Sequence, residues 1–296
     1  MTRLRAWLHL VRLPAVFTAM ADIFLGFLIP HPHRFAPLGA LTLLLVASSC
    51  LYLAGMLFND VFDREEDARL RPERPIPSGR VALRSAIAVG GALVAGGLIA
   101  AAFAGPNSLL TAGVLTACIF AYDGGAKRTS WGPPVMGACR FLNVMLGASV
   151  FSPFPVLAPL LGAGLAVYVA GVTAFARHEA EVSRPEKLAK AAMLVNAGIA
   201  ILIGVVLVHG GAAAARQAVL LGVIALSIDL RLFAAIGNPS PAHVQAAVRT
   251  MLLSLVMLDA ALVWFAVKNE DAPLYALATA TLVIPALIVG RFMKMT

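Results

Sequence analysis

The chain has 296 residues, of which 60% are apolar and 13% are charged. Soluble domains are nearer one-half apolar and one-quarter charged, so this composition excludes a soluble globular protein and favours a membrane protein. Three cysteines (Cys50, Cys118 and Cys139) lie far apart without a C-x-x-C pair, which argues against a disulfide framework or a zinc site. The formal charge of +8 is informative mainly through the places where the basic residues lie.

Ten apolar runs are long enough to cross the roughly 30 Å core of a bilayer as helices. Turn sequences such as Gly105-Pro106-Asn107 separate them. Several runs are short enough to merge or to re-enter the membrane, so we expect an all-α polytopic bundle of nine or ten transmembrane helices, folded as one domain over 1–296. In chain order the runs cover residues 14–30, 38–58, 85–104, 108–122, 135–152, 156–176, 191–208, 217–236, 250–267 and 274–290.

The basic residues are concentrated in alternate connections between these runs. With the N-terminus placed in the cytoplasm, all but three of the 23 Lys and Arg residues fall on the cytoplasmic side, the exceptions being Arg34, Arg216 and Lys268. Short cytoplasmic loops of membrane proteins carry such an excess. The charge pattern predicts an integral membrane protein with a cytoplasmic N-terminus. We expect the membrane to be a bacterial inner membrane. We expect the lipid bilayer, and no nucleic acid, among its partners.

A polar segment begins at the end of the second run. Asn59, Asp63 and Asp67 follow one another at i, i+4 and i+8, so on a helix they fan across roughly 80° of one face. Asp60 lies beside that face and can brace the others. Carboxylates on one face repel each other unless a cation lies between them, and oxygen ligands of this kind suit Mg²⁺ that also binds phosphate groups. The alternative is an acidic helix end that is solvated and neutralised by neighbouring arginines.

The same segment resembles a known motif. Residues 59–67 read N-D-x-x-D-x-x-x-D, and residues 71–79 read R-P-x-R-P-I-P-S-G, which together are similar to the first aspartate-rich motif of the UbiA superfamily of membrane-intrinsic prenyltransferases. The resemblance implies that the aspartates hold Mg²⁺ on the diphosphate of an isoprenoid donor, with Arg71 and Arg74 beside it. Residues 122–129 resemble the family's Tyr and Lys-Arg segment, which implies that Tyr122 and Lys127 reach the diphosphate. Arg128 can add a two-pronged contact to it.

The fifth run carries two polar residues a turn apart, Arg140 and Asn143. An arginine inside a membrane segment is costly and normally faces the bundle interior or an aqueous cavity, so we assign both residues to substrate binding. The alternative is that Arg140 lies at the interface and extends to the headgroups. Asp22 in the first run is either a cavity-facing carboxylate or the partner of an interior arginine.

The resemblance weakens where family members carry a second motif, D-x-x-x-D. Here Arg177 occupies the first aspartate position, Glu181 the last, and Glu179 lies between them. Three alternatives follow. Glu179 and Glu181 bind a second Mg²⁺ less tightly, or Arg177 replaces that ion as a fixed cation, or the site binds a prenyl diphosphate without turning it over. The altered motif resembles the divergent UbiA-like members encoded in some bacterial Ebo-type biosynthetic clusters.

The resemblance as a whole implies Mg²⁺-dependent transfer of a prenyl group from an isoprenoid diphosphate to a small acceptor, expected to be aromatic or otherwise electron-rich. In this hypothesis the catalytic residues are Asp63, Asp67, Lys127 and Arg177. The alternative function comes from a different class of protein. It is a non-catalytic membrane component of a biosynthetic pathway that handles a lipid or metabolite and retains a diphosphate site.

Overall fold

A computed structural model describes residues 3–30, 38–151, 153–177 and 183–292. These residues form helices and turns, with no strand among them, which confirms the predicted all-α class. Short 3₁₀ helices connect several of the longer elements. The α-helices are α1 Arg3–Leu10, α2 Val16–Leu28, α3 Leu38–Phe62, α4 Arg64–Leu70, α5 Leu83–Ala104, α6 Pro106–Gly124, α7 Gly132–Ala148, α8 Leu157–Ala176, α9 Pro185–Gly210, α10 Ala215–Gly237, α11 Pro241–Ala266, α12 Ala272–Ala280 and α13 Val283–Phe292.

Each predicted apolar run lies largely in one of these helices, except that the last run is divided between α12 and α13. Six helical stretches of the described chain are long and apolar enough to cross a membrane, which supports an integral membrane protein. The number of crossings, nine or ten, stays a prediction. The six stretches are Leu38–Phe62, Leu83–Ala104, Leu157–Ala176, Pro185–Gly237, Pro241–Ala266 and Ala272–Gly290.

The helices pack around a central cavity. α8 contacts both α7 and α9, and α3 contacts α5 and α6. α2 packs against α3, α7 and α11, so a helix near the end of the chain is joined to one near its beginning. α11 is the most deeply buried of the candidate spans, with 67% of its apolar window inside the bundle, and its contacts with α2 and α8 close the ring of helices around the cavity.

α2 and α7 approach each other closely enough to require glycine on both helices. A Cβ atom at Gly147 would lie 2.7 Å from the Ile23 carbonyl oxygen, and one at Gly26 would overlap the Val144 carbonyl oxygen. Small residues of this kind allow membrane helices to pack backbone against backbone. The pair forms a glycine seam, the name used below for Gly26 and Gly147, that sets the distance between the two helices.

We expect Gly26→Ala to lower the stability of the folded protein by at least about 1–3 kcal/mol, because the added methyl group has no room unless α2 and α7 separate. Thermal unfolding in detergent, followed by size-exclusion chromatography, measures the change. The matched control is Gly113→Ala on α6, where an added Cβ meets no atom within 4 Å. Equal unfolding temperatures for the two variants would contradict the claim that the glycine seam sets the distance between α2 and α7.

Candidate functional site

A cavity of about 340 Å³ lies between α2, α3, α6, α7, α8 and α11. Most of its wall is apolar, with polar residues gathered at two ends. One end, here the mouth, lies where α3, α6 and α8 finish, and its lining residues are Arg12, Asn59, Tyr122, Asp123 and Arg177. The opposite end, here the floor, lies deeper between α2, α3 and α7, and its lining residues are Thr18, Asp22, Ser48, Arg140 and Asn143.

Lys127 lies at the mouth between two predicted metal ligands. Its Nζ donates hydrogen bonds to Asn59 Oδ1 at 2.9 Å and to Asp63 Oδ2 at 2.7 Å. Arg128 donates to Asp63 Oδ1 at 3.0 Å and reaches Glu66 Oε2 at 3.4 Å. The turn after α6 therefore brings two cations onto the end of α3.

Arg74 organises the second half of the acidic segment. Its Nη1 donates to Asp60 Oδ1 at 3.1 Å and to Asp67 Oδ2 at 3.0 Å, and both carboxylates are buried. Prolines in the loop after α4 prevent a further helix, which turns Arg74 back towards α3. Burial raises the pKa of Asp67, and the Arg74 guanidinium opposes this change.

The acidic residues do not form one continuous helical face. The helix is interrupted at Asp63, which lies between the end of α3 and the start of α4. Asn59 and Asp63 therefore share Lys127, whereas Asp60 and Asp67 share Arg74. The expected face is divided into two ion-pair clusters because each carboxylate has a basic partner contributed by a different loop.

Sequence analysis did not identify two residues of the mouth, Arg12 and Asp123. Arg12 adopts the left-handed φ of 44°, unusual for a residue with a side chain, and its Nη2 lies 3.9 Å from Asp60 Oδ1. Asp123 is buried and lies 3.9 Å from Lys127 Nζ. The spacing of Asp123 and Lys127, i and i+4 at a helix end, was the signal that could have identified the second one.

Arg177 also lies at the mouth. Its Nη2 donates to the Lys127 carbonyl oxygen at 3.1 Å and to the carbonyl oxygen of Thr129. The end of α8 is thereby tied to the turn that carries Lys127. The other predicted residues of this region, Glu179 and Glu181, lie outside the described residues.

The remaining mouth predictions have different outcomes. Tyr122 lines the cavity, and its expected contact with the diphosphate stays a prediction. Arg71 is exposed, and its side chain makes no ion pair within the described part of the chain. The structure therefore does not bring Arg71 into either cluster, because the backbone at the end of α4 turns it towards solvent while Arg74 turns inwards.

Arg140 and Asn143 lie at the floor and not at the mouth. Arg140 Nη1 donates to Asp22 Oδ2 at 2.5 Å and to the Thr18 carbonyl oxygen at 3.0 Å. Asn143 donates to the same Asp22 oxygen at 2.8 Å and accepts a hydrogen bond from Ser48 at 2.7 Å. Asp22 is thus the partner of an interior arginine. The alternative of an arginine extended to the headgroups is wrong, because the Arg140 side chain is only 10% exposed.

Asp259 on α11 is a further buried acid that was missed. It is fully buried, and neither of its carboxylate oxygens has a hydrogen-bond partner among the described residues. Asp22 and Arg140 are the charged groups that act on it. The signal in the sequence was a single carboxylate in the middle of the apolar run 250–267, a position where an acid is costly and normally has a role.

Comparison with known proteins connects this geometry to a family. The chain is 40% identical over 95 residues to digeranylgeranylglyceryl phosphate synthase of Sulfolobus acidocaldarius, a match that covers 32% of this chain and 34% of the relative. A second synthase of the same name, from Metallosphaera sedula, is 31% identical over 48% of this chain and 50% of its own length. The chain thus spans between a third and a half of the length of these curated relatives.

Solved structures extend the likeness to nearly the whole fold. A UbiA homologue from Aeropyrum pernix has a TM-score of 0.64 at 21% identity, with 94% of this chain and 98% of that chain covered. A UbiA homologue from Archaeoglobus fulgidus, bound to DMAPP and Mg²⁺, has a TM-score of 0.63 at 16% identity, with coverages of 93% and 99%. The model of the UbiA prenyltransferase family matches residues 19–185, which include both ion-pair clusters and the floor residues Asp22, Ser48, Arg140 and Asn143. This chain belongs to the UbiA prenyltransferase family.

Proposed function

We propose that the chain, acting as a single domain, transfers a prenyl group from an isoprenoid diphosphate to a small acceptor in the cavity. The observation that carries the proposal is the position of Lys127, which bridges Asn59 and Asp63 at the charged mouth of an otherwise apolar cavity. An amphipathic substrate with an anionic head and a hydrocarbon tail matches that arrangement. The homologue bound to DMAPP and Mg²⁺ supports the same assignment.

The oxygen donors at the mouth fit Mg²⁺ that arrives with the diphosphate. No three acidic, histidine or cysteine side chains in the described ranges are placed to hold a metal by themselves. Mg²⁺ commonly binds through one or two carboxylates and completes its shell with water and substrate phosphates. Asn59, Asp63 and Asp67 would hold the ion. Asp67 Oδ1 accepts no hydrogen bond from any described residue, whereas Asn59 and Asp63 would exchange their contacts with Lys127 and Arg128 for the ion. The ion would supply positive charge to the departing diphosphate.

The chain's own cations stabilise the same charge. Transfer breaks the bond between C1 of the prenyl group and the bridging diphosphate oxygen, and forms a bond between C1 and the acceptor nucleophile. The diphosphate leaves as an anion, and the acceptor loses a proton. Lys127, Arg128 and Arg177 lie at the mouth to stabilise the leaving group. The apolar wall excludes water from C1 and binds the tail, at about 0.8 kcal/mol per buried CH₂.

A direct test is incubation of the purified protein with Mg²⁺, a series of prenyl diphosphates and a panel of acceptors, with products identified by mass spectrometry. The panel includes aromatic acceptors, which the sequence favoured, and a geranylgeranylglyceryl phosphate acceptor, which the names of the relatives suggest. We expect a product whose mass increases by one prenyl group and which is absent without Mg²⁺. Mg²⁺-dependent diphosphate binding without any product would favour the non-catalytic alternative.

Arg177→Ala is expected to weaken the binding of geranyl diphosphate by about 1.5–3 kcal/mol, because a charged hydrogen-bond donor is lost and the Lys127 turn is released. Calorimetric titration at a fixed Mg²⁺ concentration measures the change. The matched control is Arg84→Ala, since Arg84 is exposed at the start of α5 and has no described partner. Unchanged affinity of the Arg177→Ala protein would place its side chain outside the diphosphate site.

We further propose that the mouth faces the cytoplasm, as the charge pattern predicts. Impermeant thiol labelling of intact cells tests the orientation in proteins that carry Glu65→Cys, Glu186→Cys or Glu270→Cys, all at exposed positions. We expect rapid labelling only at position 270. Rapid labelling at positions 65 and 186 would reverse the topology. The type of cell membrane stays a prediction.

A further inference from the structure

The floor of the cavity has a different electrostatic character from the mouth. At the mouth, Lys127, Arg128, Arg74 and Arg12 meet the acidic residues with cations from several loops. At the floor, Arg140 is the basic residue of the lining, and Asp22 lies 2.5 Å from it. Asp259 adds a second carboxyl group to this cluster. The floor therefore has no spare positive charge with which to bind an anion.

The floor is nevertheless rich in hydrogen-bonding groups. Ser48 and Asn143 line it and bond to each other, and Asn143 also donates to the Ala19 carbonyl oxygen at 2.8 Å. Asp22 Oδ1 is buried beside the carboxyl group of Asp259, a residue that does not line the cavity, and two neighbouring carboxyl groups can share a proton. Buried acceptors of this kind normally have a donor, from protein, water or ligand. The floor therefore offers hydrogen-bonding groups to a neutral ligand, whereas its arginine is already paired with Asp22.

Tyr52 lies between the mouth and the floor and contributes a further polar group to the cavity wall. It lines the cavity, and its hydroxyl makes no hydrogen bond with any described residue. By contrast, the Tyr168 hydroxyl is fully buried and donates to the Met251 carbonyl oxygen at 2.8 Å. A phenolic hydroxyl that faces a cavity and lacks a protein partner is available to a bound molecule.

We propose that the floor, together with Tyr52, binds an uncharged, hydroxyl-bearing part of the acceptor and discriminates against a carboxylate or phosphate at that position. The inference rests on the proposed transfer function, since it names the class of acceptor. The anionic substrate is bound at the cation-rich mouth, and the neutral acceptor group is bound at the floor. Arg140 and Asn143 are then specificity residues for the acceptor and not contacts of the diphosphate.

The length of the cavity limits the acceptor further. Ser48 precedes Asn59 by eleven residues on α3, which corresponds to about 16 Å along the helix axis, and Tyr52 lies about 10 Å from Asn59. The acceptor's nucleophile must reach C1 of the donor near the mouth. An acceptor spans this distance if its reactive position lies near the mouth and its hydroxyl group is directed towards Tyr52 or the floor.

Cys139 provides a local reporter, because it lines the cavity directly before Arg140. In a protein with Cys50→Ala and Cys118→Ala, the rate at which methyl methanethiosulfonate modifies Cys139 is measured in the presence of matched probes. The first pair is 4-hydroxybenzyl alcohol and 4-hydroxybenzoate. The second pair is geranylgeranylglycerol and its phosphate. We expect the neutral member of at least one pair to protect Cys139 at a concentration at least about tenfold lower than its anionic partner.

Variants locate the binding group. Tyr52→Phe and Ser48→Ala should each weaken protection by the neutral probe about fivefold, the effect of one hydrogen bond. Thr173→Val is the control, because Thr173 also lines the cavity but its hydroxyl donates to the Val169 carbonyl oxygen. Binding of geranyl diphosphate with Mg²⁺, measured by calorimetry, should be the same in the control and in the Tyr52→Phe protein.

The outcomes separate the floor from the transfer function. Equal or better protection by the anionic probes overturns the inference, as does the absence of protection by every probe in a protein that binds geranyl diphosphate. Protection by a neutral probe that Tyr52→Phe and Ser48→Ala leave unchanged also overturns it. If geranyl diphosphate does not bind but the neutral probe protects Cys139 through Tyr52, the transfer function fails and the floor assignment stands.

Discussion

Asp63→Ala is expected to weaken Mg²⁺-dependent binding of geranyl diphosphate at least about 100-fold, or about 2.8 kcal/mol. The reason is that Asp63 is both a proposed ligand of the ion and the carboxylate that holds Lys127 and Arg128 at 2.7 and 3.0 Å. Without Mg²⁺ the variant and the unaltered protein should differ little, since Lys127 still contacts Asn59 and Arg128 still contacts Glu66. Calorimetric titrations with and without Mg²⁺ measure both quantities.

The control for this prediction is Glu66→Ala on α4, the short helix that begins directly after Asp63. Glu66 is exposed and touches Arg128 only at 3.4 Å, so its loss should change affinity by less than about threefold. Asp67→Ala should resemble Asp63→Ala. Undiminished Mg²⁺-dependent binding in both aspartate variants would remove the acidic segment from the diphosphate site.

Asp22→Ala is expected to destabilise the folded protein by about 3–5 kcal/mol, the usual cost of removing one partner from a buried ion pair. The Arg140 guanidinium would remain inside the bundle without the carboxylate that now lies 2.5 Å away. Asn143 would also lose the acceptor of one hydrogen bond. Chemical denaturation followed by circular dichroism in mild detergent measures the free energy of unfolding.

The double variant Asp22→Ala with Arg140→Met distinguishes an electrostatic cause from a loss of packing. Removing both charges leaves no uncompensated arginine, so we expect the double variant to recover most of the lost stability. If the double variant is less stable than Asp22→Ala alone, the ion pair is not what holds α2 to α7. A small loss of stability in the Asp22→Ala protein alone would show that Asp259 replaces Asp22 as the partner of Arg140.

The mouth could be predicted from the sequence to a large extent. The spacing of Asn59 and Asp63 and the resemblance of the Lys127-Arg128 segment named four residues that the structure brings into contact. The all-α class followed from the apolar runs, because a chain without water partners in the bilayer must satisfy its backbone within helices.

The division of the acidic segment could not be predicted in the same way. Spacing along an ideal helix places Asn59, Asp63 and Asp67 together, but the structure interrupts the helix at Asp63. The partner of each carboxylate comes from a loop, and loop paths depend on tertiary contacts that periodicity does not describe. Arg12 is the clearest example, since its place at the mouth depends on one left-handed backbone residue.

The sequence predicted individual polar residues of the floor, but it did not predict that they form one site. Arg140, Asn143 and Asp22 were each recognised as costly in a membrane, yet their mutual contact depends on how α2 and α7 are aligned. Asp259 joins them from α11, more than a hundred residues further along the chain. Such long-range convergence requires the packed bundle.

The glycine seam has a consequence for how acceptor preference can change. Gly26 follows Asp22 by one helical turn, and Gly147 follows Asn143 by one turn, so the seam fixes the two helices that carry the charged part of the floor. Substitutions that alter this wall would first have to separate two backbones in contact. α3 contributes Ser48 and Tyr52, and neither position belongs to the glycine seam. New acceptor selectivity is therefore most accessible, to evolution or to a protein engineer, through exchanges on α3 alone.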